Sequence, residues 1–140
     1  MYNNISNKDE GYIVCGFAGC GKSTAGHNIK GIVDLESTPF NKDWKTYVRV
    51  ANHMKKNGYI VLMSCHKELR EELHNQGIEY LLAMPTINEK EIYLNRYKNR
   101  GNTDAFIENM DKNFEKFTEV YDWEKDNLIL LKGDTYLTIA

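Results

Sequence analysis

A glycine-rich stretch near the start of the chain has the residue types and spacing that phosphate binding requires. Residues 16–23 read GFAGCGKS and fit the pattern G-x-x-x-x-G-K-[ST] at every fixed position. Glycines let successive backbone N–H groups turn inward, and the lysine reaches terminal phosphates as a point charge. A strand is predicted before the motif and a helix after it, as the pattern demands. We therefore predict a nucleotide-binding loop made of Gly16, Phe17, Ala18, Gly19, Cys20, Gly21, Lys22, Ser23 and Thr24.

We predict a separate role for each of three side chains in this loop. Ser23 is expected to ligate Mg²⁺ through its hydroxyl group. Thr24 is expected to support the loop or to contact the α-phosphate. Cys20 occupies a variable position of the pattern, so we interpret it as a bystander and not as a nucleophile.

Two acids follow directly after the second predicted strand, in the segment VDLES. Their i, i+2 spacing in an extended chain puts the carboxylates of Asp34 and Glu36 on one side. One of them could orient water on Mg²⁺, and the other could accept a proton from an attacking hydroxyl or bind substrate. We assign Asp34 to catalysis and the metal and Glu36 to substrate, while which acid is the base stays open. The alternative is a pair of solvated loop acids.

The elements that must position these residues alternate along the chain. Apolar segments predict strands at 12–16, 31–35, 59–64, 78–84 and 128–131, and helical periodicity predicts helices at 22–30, 44–57, 67–76, 88–100 and 104–125. Strands that alternate with helices pair in parallel through right-handed crossovers. The sequence therefore predicts an α/β fold of three layers with a five-stranded parallel sheet, and ligands at the carboxyl ends of the strands. The last helix should bury a stripe of Phe106, Met110, Phe114, Phe117 and Tyr121.

Composition limits the classes of protein that remain. A chain of 140 residues is expected to form a single domain over residues 1–140. Its net charge of −2 argues against a broad nucleic-acid surface, and no apolar run is long enough for a membrane span. The three cysteines lack the spacing of a zinc site, so we expect free thiols and a cytoplasmic protein. No motif indicates the oligomeric state.

These segments together resemble the nucleoside-monophosphate kinase and gluconate kinase branch of P-loop proteins, from Tyr12 to Leu137. An acidic motif after the second strand of that branch is similar to Asp34-Leu35-Glu36. The segment SCHKELREEL at 64–73 resembles the stretch after the third strand of gluconate-type kinases. The segment LNRYKNRGN at 94–102 is similar to their lid helix, which carries two arginines four residues apart. The small size and this last segment most resemble compact P-loop nucleotide kinases of bacteriophages.

The resemblance implies a P-loop kinase that uses ATP and Mg²⁺ and has a short lid at about 88–105. Arg96 and Arg100 are expected to be catalytic, lying away from the phosphates until a nucleotide closes the lid. The alternative for both is a solvated arginine near the helix end at Gly101, where its charge favours the helix dipole. Arg49, Ser64 and His66 are expected to bind the acceptor together with Glu36. Arg49 could instead form a surface ion pair, and His66 could be a capping or exposed residue. For Arg70, a local charge pair with Glu68, Glu71 or Glu72 and a substrate contact are both open.

The implied reaction moves the γ-phosphoryl group of ATP to a small acceptor, with a nucleotide or nucleoside as first expectation. The sequence lacks the D-G-F-P-R-like segment of adenylate kinases, and Asn102 stands where gluconate kinases have histidine. Neither AMP nor gluconate is therefore favoured. The alternatives are a kinase for a sugar-acid type of metabolite and an ATP-binding or ATPase module that acts through a partner.

Overall fold

The computed structural model describes residues 10–22 and 31–137, which contain a five-stranded parallel sheet. The strands are β1 (Tyr12–Gly16), β2 (Ile32–Asp34), β3 (Ile60–Met63), β4 (Leu81–Pro85) and β5 (Leu128–Leu131). Their order across the sheet is β2-β3-β1-β4-β5, and every neighbouring pair is parallel. The predicted α/β class with a parallel sheet flanked by helices is confirmed. Ser23, Thr24 and the helix predicted at 22–30 fall outside the described residues, apart from Lys22 itself.

Four α-helices pack around this sheet in the described ranges. They are α1 (Trp44–Lys56), α2 (Lys67–Asn75), α3 (Lys90–Asn99) and α4 (Asp104–Phe117), with short 3₁₀ helices at Thr38–Phe40, Ile87–Glu89 and Asp122–Asn127. Asp43 and Thr103 cap α1 and α4 by accepting hydrogen bonds from backbone N–H groups of the first turn. None of the helices within residues 10–22 and 31–137 has the length and apolar character of a membrane span.

The central strands are buried on both faces, which is what their continuous apolar sequences predict. Successive residues of β1 point to opposite sides of the sheet. Ile13 and Cys15 belong to the larger apolar cluster with α1 and α3, whereas Val14 packs with Leu62 of β3 in the second cluster. The sheet is therefore a rigid platform, and its strand ends can hold a site in fixed geometry.

The last predicted helix, at 104–125, is too long: α4 ends at Phe117. The Thr118 hydroxyl donates to the carbonyl of Phe114, and the chain then turns into the 3₁₀ helix Asp122–Asn127. Met110 and Phe114 are buried as expected, but Tyr121 lies beyond the helix and stacks on Trp123. The turn brings Glu124 into the interior, where only 2% of it is exposed.

Arg70 forms an ion pair with Glu124. It therefore makes neither the expected charge pair within α2 nor the expected substrate contact. The Arg70 guanidinium is fully buried and lies 3.3 Å from Glu124 Oε1, and it also donates to the carbonyl of Glu119. It contacts neither the nearby acids of α2 nor the cavity described below. Tyr80 and the Tyr121 amide donate to the same Glu124 carboxylate. Arg70 thus fastens α2 to the segment before β5.

Arg70→Met is expected to lower the free energy of unfolding by about 3–5 kcal/mol, because removing one partner leaves the other charge buried without compensation. Urea unfolding followed by circular dichroism measures the change. The control is Lys125→Met, which removes an exposed partner of Asp122 and should leave the midpoint unchanged. Equal midpoints for the two variants would contradict a structural role for Arg70.

Candidate functional site

The strand order opens a crevice at the carboxyl end of β1. The chain leaves β1 towards one edge of the sheet to form β2, while it leaves β3 and β4 towards the other edge. Connections that diverge in this way make room for a ligand between them. A cavity of about 700 Å³ lies here. It is lined by Ala18, Gly19, Gly21, Lys22, Asp34, Leu35, Glu36, Ser37, Thr38, Ser64, Arg96, Asn99, Arg100, Phe106 and Tyr136.

The segment 16–22, called the glycine loop from here on, forms one wall of this cavity. Gly19 and Gly21 have φ of +87° and +103°, which only glycine adopts without strain. A Cβ atom on Gly16 would lie 2.7 Å from Cys20 Sγ, so this position also requires glycine. Lys22 folds back over the loop, and its Nζ donates to the carbonyl of Gly16 at 2.5 Å. The loop is therefore compact, with its lysine held beside the cavity.

Three successive carbonyl groups of the glycine loop accept hydrogen bonds from other parts of the chain. The Tyr97 hydroxyl donates to Ala18 at 2.7 Å, and Arg96 Nη1 donates to Gly19 at 2.9 Å. The backbone N–H of Leu137 donates to Cys20 at 2.7 Å. Helix α3 and the segment 134–137, called the C-terminal segment, thus hold the loop by its carbonyl groups.

Arg96 differs from its sequence-based expectation, because it already contacts the glycine loop and is only 8% exposed. Its Nη2 donates to Asp134 at 2.9 Å and to the Thr135 carbonyl at 2.7 Å. The guanidinium lies between two aromatic rings, 4.5 Å from the centroid of Tyr93 and 3.8 Å from that of Tyr136. These contacts occupy both terminal nitrogens and both faces of the group.

Arg100 keeps the exposure that a phosphate ligand needs. It lines the cavity at the end of α3, its Nε donates to Asn102, and its guanidinium lies over the Tyr97 ring. The rings of Tyr93 and Tyr97, by contrast, are fully buried in the core. A lid over all of 88–105 would have to withdraw both rings, so we restrict the expected closure to the end of α3 around Arg100.

Asp34 and Glu36 line the same cavity at and after the end of β2, together with Ser37 and Thr38, and Ser64 lines it directly after β3. Strand β3 separates β2 from β1, which sets the acids about 10 Å from the line of β1. Tyr47 of α1 joins the ends of β2 and β3. Its hydroxyl donates to the carbonyl of Leu35, after β2, and accepts from the N–H of Ser64, after β3. Burial raises the pKa of Tyr47 to about 12, so this bridge stays protonated.

Two predicted acceptor ligands do not line the cavity. Hydrogen bonds from Thr46 lower the pKa of Asp43, and the charge of Arg49 adds a smaller effect in the same direction. Arg49 is exposed on α1, so the surface alternative fits it better. His66 stands before α2, with Nδ1 3.1 Å from Ser64 Oγ and its ring 5.1 Å from that of Trp44. Desolvation lowers the pKa of His66, which favours the neutral imidazole.

The cysteines near the site are free thiols that burial keeps protonated. Cys20 is fully buried under the glycine loop, and desolvation raises its pKa. The pKa of Cys15 and of Cys65 is raised for the same reason. A nucleophilic cysteine needs an accessible thiolate. The geometry therefore agrees with a packing role for Cys20.

The carboxylates of Asp34 and Glu36 in the cavity wall are of the ligand type that Mg²⁺ prefers. In the described ranges no three His, Cys, Asp or Glu side chains gather as a metal site. Mg²⁺ needs fewer protein ligands, because it usually binds one or two carboxylates and completes its octahedron with phosphates and water. Asp34 would hold the ion, with Glu36 close by, whereas the predicted ligand Ser23 lies outside the described residues.

Sequence reasoning missed four residues that shape the site. Tyr47 and Tyr97 look like ordinary core positions of amphipathic helices, although a buried tyrosine usually needs a hydrogen-bond partner, and that was the available signal. Tyr136 and Leu137 follow the last strand and carry no motif. Their roles depend on where the chain end folds.

Neither the protein-family models nor the curated proteins include a match to this chain.

Proposed function

We propose that this chain is a phosphotransferase of the P-loop kinase type, which moves the γ-phosphoryl group of ATP to the hydroxyl of a small acceptor in the cytoplasm. One observation carries the proposal: two chemically different groups share a single cavity. Gly21 and Lys22 line the cavity after the end of β1, and Asp34 and Glu36 line it at and after the end of β2. Donors for phosphate oxygens and a carboxylate that accepts a proton are what transfer to a hydroxyl requires.

The residues divide the work between the two strand ends. Backbone N–H groups of the glycine loop and the Lys22 ammonium hold the phosphates of ATP. Arg100 approaches the terminal phosphate and neutralises charge that develops there. Asp34 or Glu36 takes the proton of the acceptor hydroxyl while the hydroxyl oxygen attacks the γ-phosphorus. The bond from that phosphorus to the oxygen bridging it to the β-phosphate breaks, and ADP leaves. Bound Mg²⁺ would neutralise further phosphate charge.

Charge along the cavity favours an acceptor without phosphate groups. The cationic residues among the described lining, Lys22, Arg96 and Arg100, all lie on the loop and α3 side. The acceptor side presents two acids and the hydroxyls of Ser37, Thr38 and Ser64. Like charges about 4 Å apart repel by about 4 kcal/mol in a partly buried site. Of the two acceptors first expected, a nucleoside therefore fits this wall better than a nucleotide.

The test is ADP release by the purified protein with ATP, Mg²⁺ and a panel of acceptors. Nucleosides should raise the rate above that without acceptor, and each should exceed its own 5′-monophosphate. Sugar acids in the same panel test the metabolite kinase. Faster turnover of the monophosphates would overturn the acceptor class. Hydrolysis that no acceptor accelerates would overturn the kinase and leave an ATPase module that acts through a partner.

A further inference from the structure

We propose that Tyr97, Arg96 and the C-terminal segment are positioning elements that hold the glycine loop open for phosphate by fixing its carbonyl groups. This inference rests on the phosphate-binding role assigned to the loop under the proposed function. It gives Arg96 a role different from that of a phosphate ligand. It also makes the last described residues of the chain part of the site.

The planar peptide unit couples each carbonyl group of the loop to the N–H group of the following residue. The described chain has no cis peptide bond, so the C=O of each residue points away from the N–H of the next residue. Fixing the Ala18 carbonyl on Tyr97 directs the Gly19 N–H to the opposite side. Fixing the Cys20 carbonyl on the Leu137 N–H directs the Gly21 N–H in the same way. The outer bonds therefore determine where the inner donors point.

The middle peptide unit completes the arrangement. Arg96 holds the Gly19 carbonyl, and the Cys20 N–H on the other end of that unit donates to Phe17 at 3.0 Å, which closes the turn. The amides of Gly19 and Gly21 donate to no other group within residues 10–22 and 31–137. They are therefore among the donors that remain for an anion, since backbone N–H groups that point to one side of a loop form an anion-binding concavity.

The three anchors are themselves held rigidly. Tyr97 is fully buried, and its ring packs edge-on against Phe106. Arg96 is enclosed by two tyrosine rings and bonded to the C-terminal segment, whose Leu137 side chain is buried in the second apolar cluster. The Gly133 N–H, just before that segment, donates to the buried carboxylate of Glu89. A loop containing three glycines has high conformational entropy when free, so external anchors of this kind lower the cost of ordering it for a ligand.

Tyr97→Phe isolates one anchor, because it removes a single hydroxyl and keeps the ring. We expect about five-fold weaker binding of ATP and of inorganic triphosphate in isothermal titration calorimetry, the effect of one neutral hydrogen bond. The Gly19 amide signal in ¹⁵N nuclear magnetic resonance spectra should shift as well. The matched control is Tyr80→Phe, which removes another buried hydroxyl bond, to Glu124, at the amino end of β4. The Tyr80→Phe variant should be less stable than the wild type but should bind ATP and triphosphate with unchanged affinity.

A second pair of variants tests the backbone anchor. Leu137→Pro removes the N–H that holds the Cys20 carbonyl, and it should weaken triphosphate binding more than Leu137→Ala, which keeps the N–H and removes most of the side chain. Arg96→Lys distinguishes positioning from phosphate contact. Lysine keeps the charge but cannot span Gly19, Asp134 and Thr135 at once, so binding should fall as far as in Arg96→Gln.

The outcomes separate this inference from the proposed function. A wild-type protein that binds neither ATP nor triphosphate overturns both. If the wild type binds both ligands and the Tyr97→Phe and Tyr80→Phe variants bind them with equal affinity, the positioning role is overturned and the proposed function stands. Full binding in Arg96→Lys with loss in Arg96→Gln would make Arg96 a charge that acts on the phosphates and overturn its role as an anchor.

Discussion

Lys22→Ala should lower the turnover of phosphoryl transfer by about two to three orders of magnitude, which is the effect of removing a single donor to the charge that develops in the transition state. The Lys22 ammonium lies beside the cavity, held by the carbonyls of Gly16 and Phe17. A phosphate oxygen offers it a full negative charge in place of a carbonyl dipole, so we expect the side chain to transfer to the ligand. Affinity for ATP should fall together with turnover.

The measurement for Lys22→Ala combines ADP release with calorimetric titration of ATP. Lys112→Ala is the control, because it removes an exposed lysine of α4 that is not part of the cavity lining. Unfolding midpoints should agree for both variants and the wild type, since neither lysine contributes to the core. Unchanged ATP affinity and rate in Lys22→Ala would contradict the role of the loop in phosphate binding.

Asp34→Asn should lower turnover by about two to four orders of magnitude while ATP affinity changes little. The amide keeps the shape and polarity of the side chain at the end of β2 but can neither accept the proton nor bind Mg²⁺ strongly. A group that acts in the transition state affects kcat more than ground-state binding. Tyr47 joins the end of β2, at Leu35, to the end of β3, at Ser64, so the position itself should be preserved.

Glu36→Gln is the matched comparison, because both acids line the same wall of the cavity. It should change the KM of the acceptor more than kcat, as expected for a substrate contact. Near-normal turnover in Asp34→Asn with a large loss in Glu36→Gln would reverse the two assignments. Normal turnover in both would leave the acids as solvated loop residues and remove the main support for a kinase.

The positions of three arginines, Arg70, Arg96 and Arg100, show what patterns along the sequence leave out. Arg96 and Arg100 share a helical spacing, yet the structure buries the first between two tyrosines and leaves the second at the cavity. Arg70 pairs with Glu124, which lies 54 positions away in the sequence. Spacing along a helix predicts which side chains share a face. What that face contacts depends on the segments that pack against it.

The succession of strands and helices along the chain could be predicted from the sequence alone. Local periodicity and backbone preference are sufficient to predict that succession. Strand β1 spans the predicted residues, α1 and α2 end within one residue of their predicted ends, and glycine follows or closely follows both of these helices. The parallel pairing followed from the alternation of strands and helices, since a strand that continues through a helix returns in the same direction. The glycine motif and the acidic pair were likewise legible as local patterns, and both line the cavity.

The tertiary structure alone decided the strand order, the outer anchors of the glycine loop and the burial of Arg96. These features join residues far apart in the chain, such as Leu137 and Cys20, or Tyr97 and Ala18. No local preference encodes such contacts, because they form only when the C-terminal segment folds back across the carboxyl ends of the strands. The lid predicted over 88–105 stays a prediction, and its extent depends on the same kind of long-range contact. Whether a helix closes over a site depends on how much of it the core retains, and here the core retains the rings of Tyr93 and Tyr97.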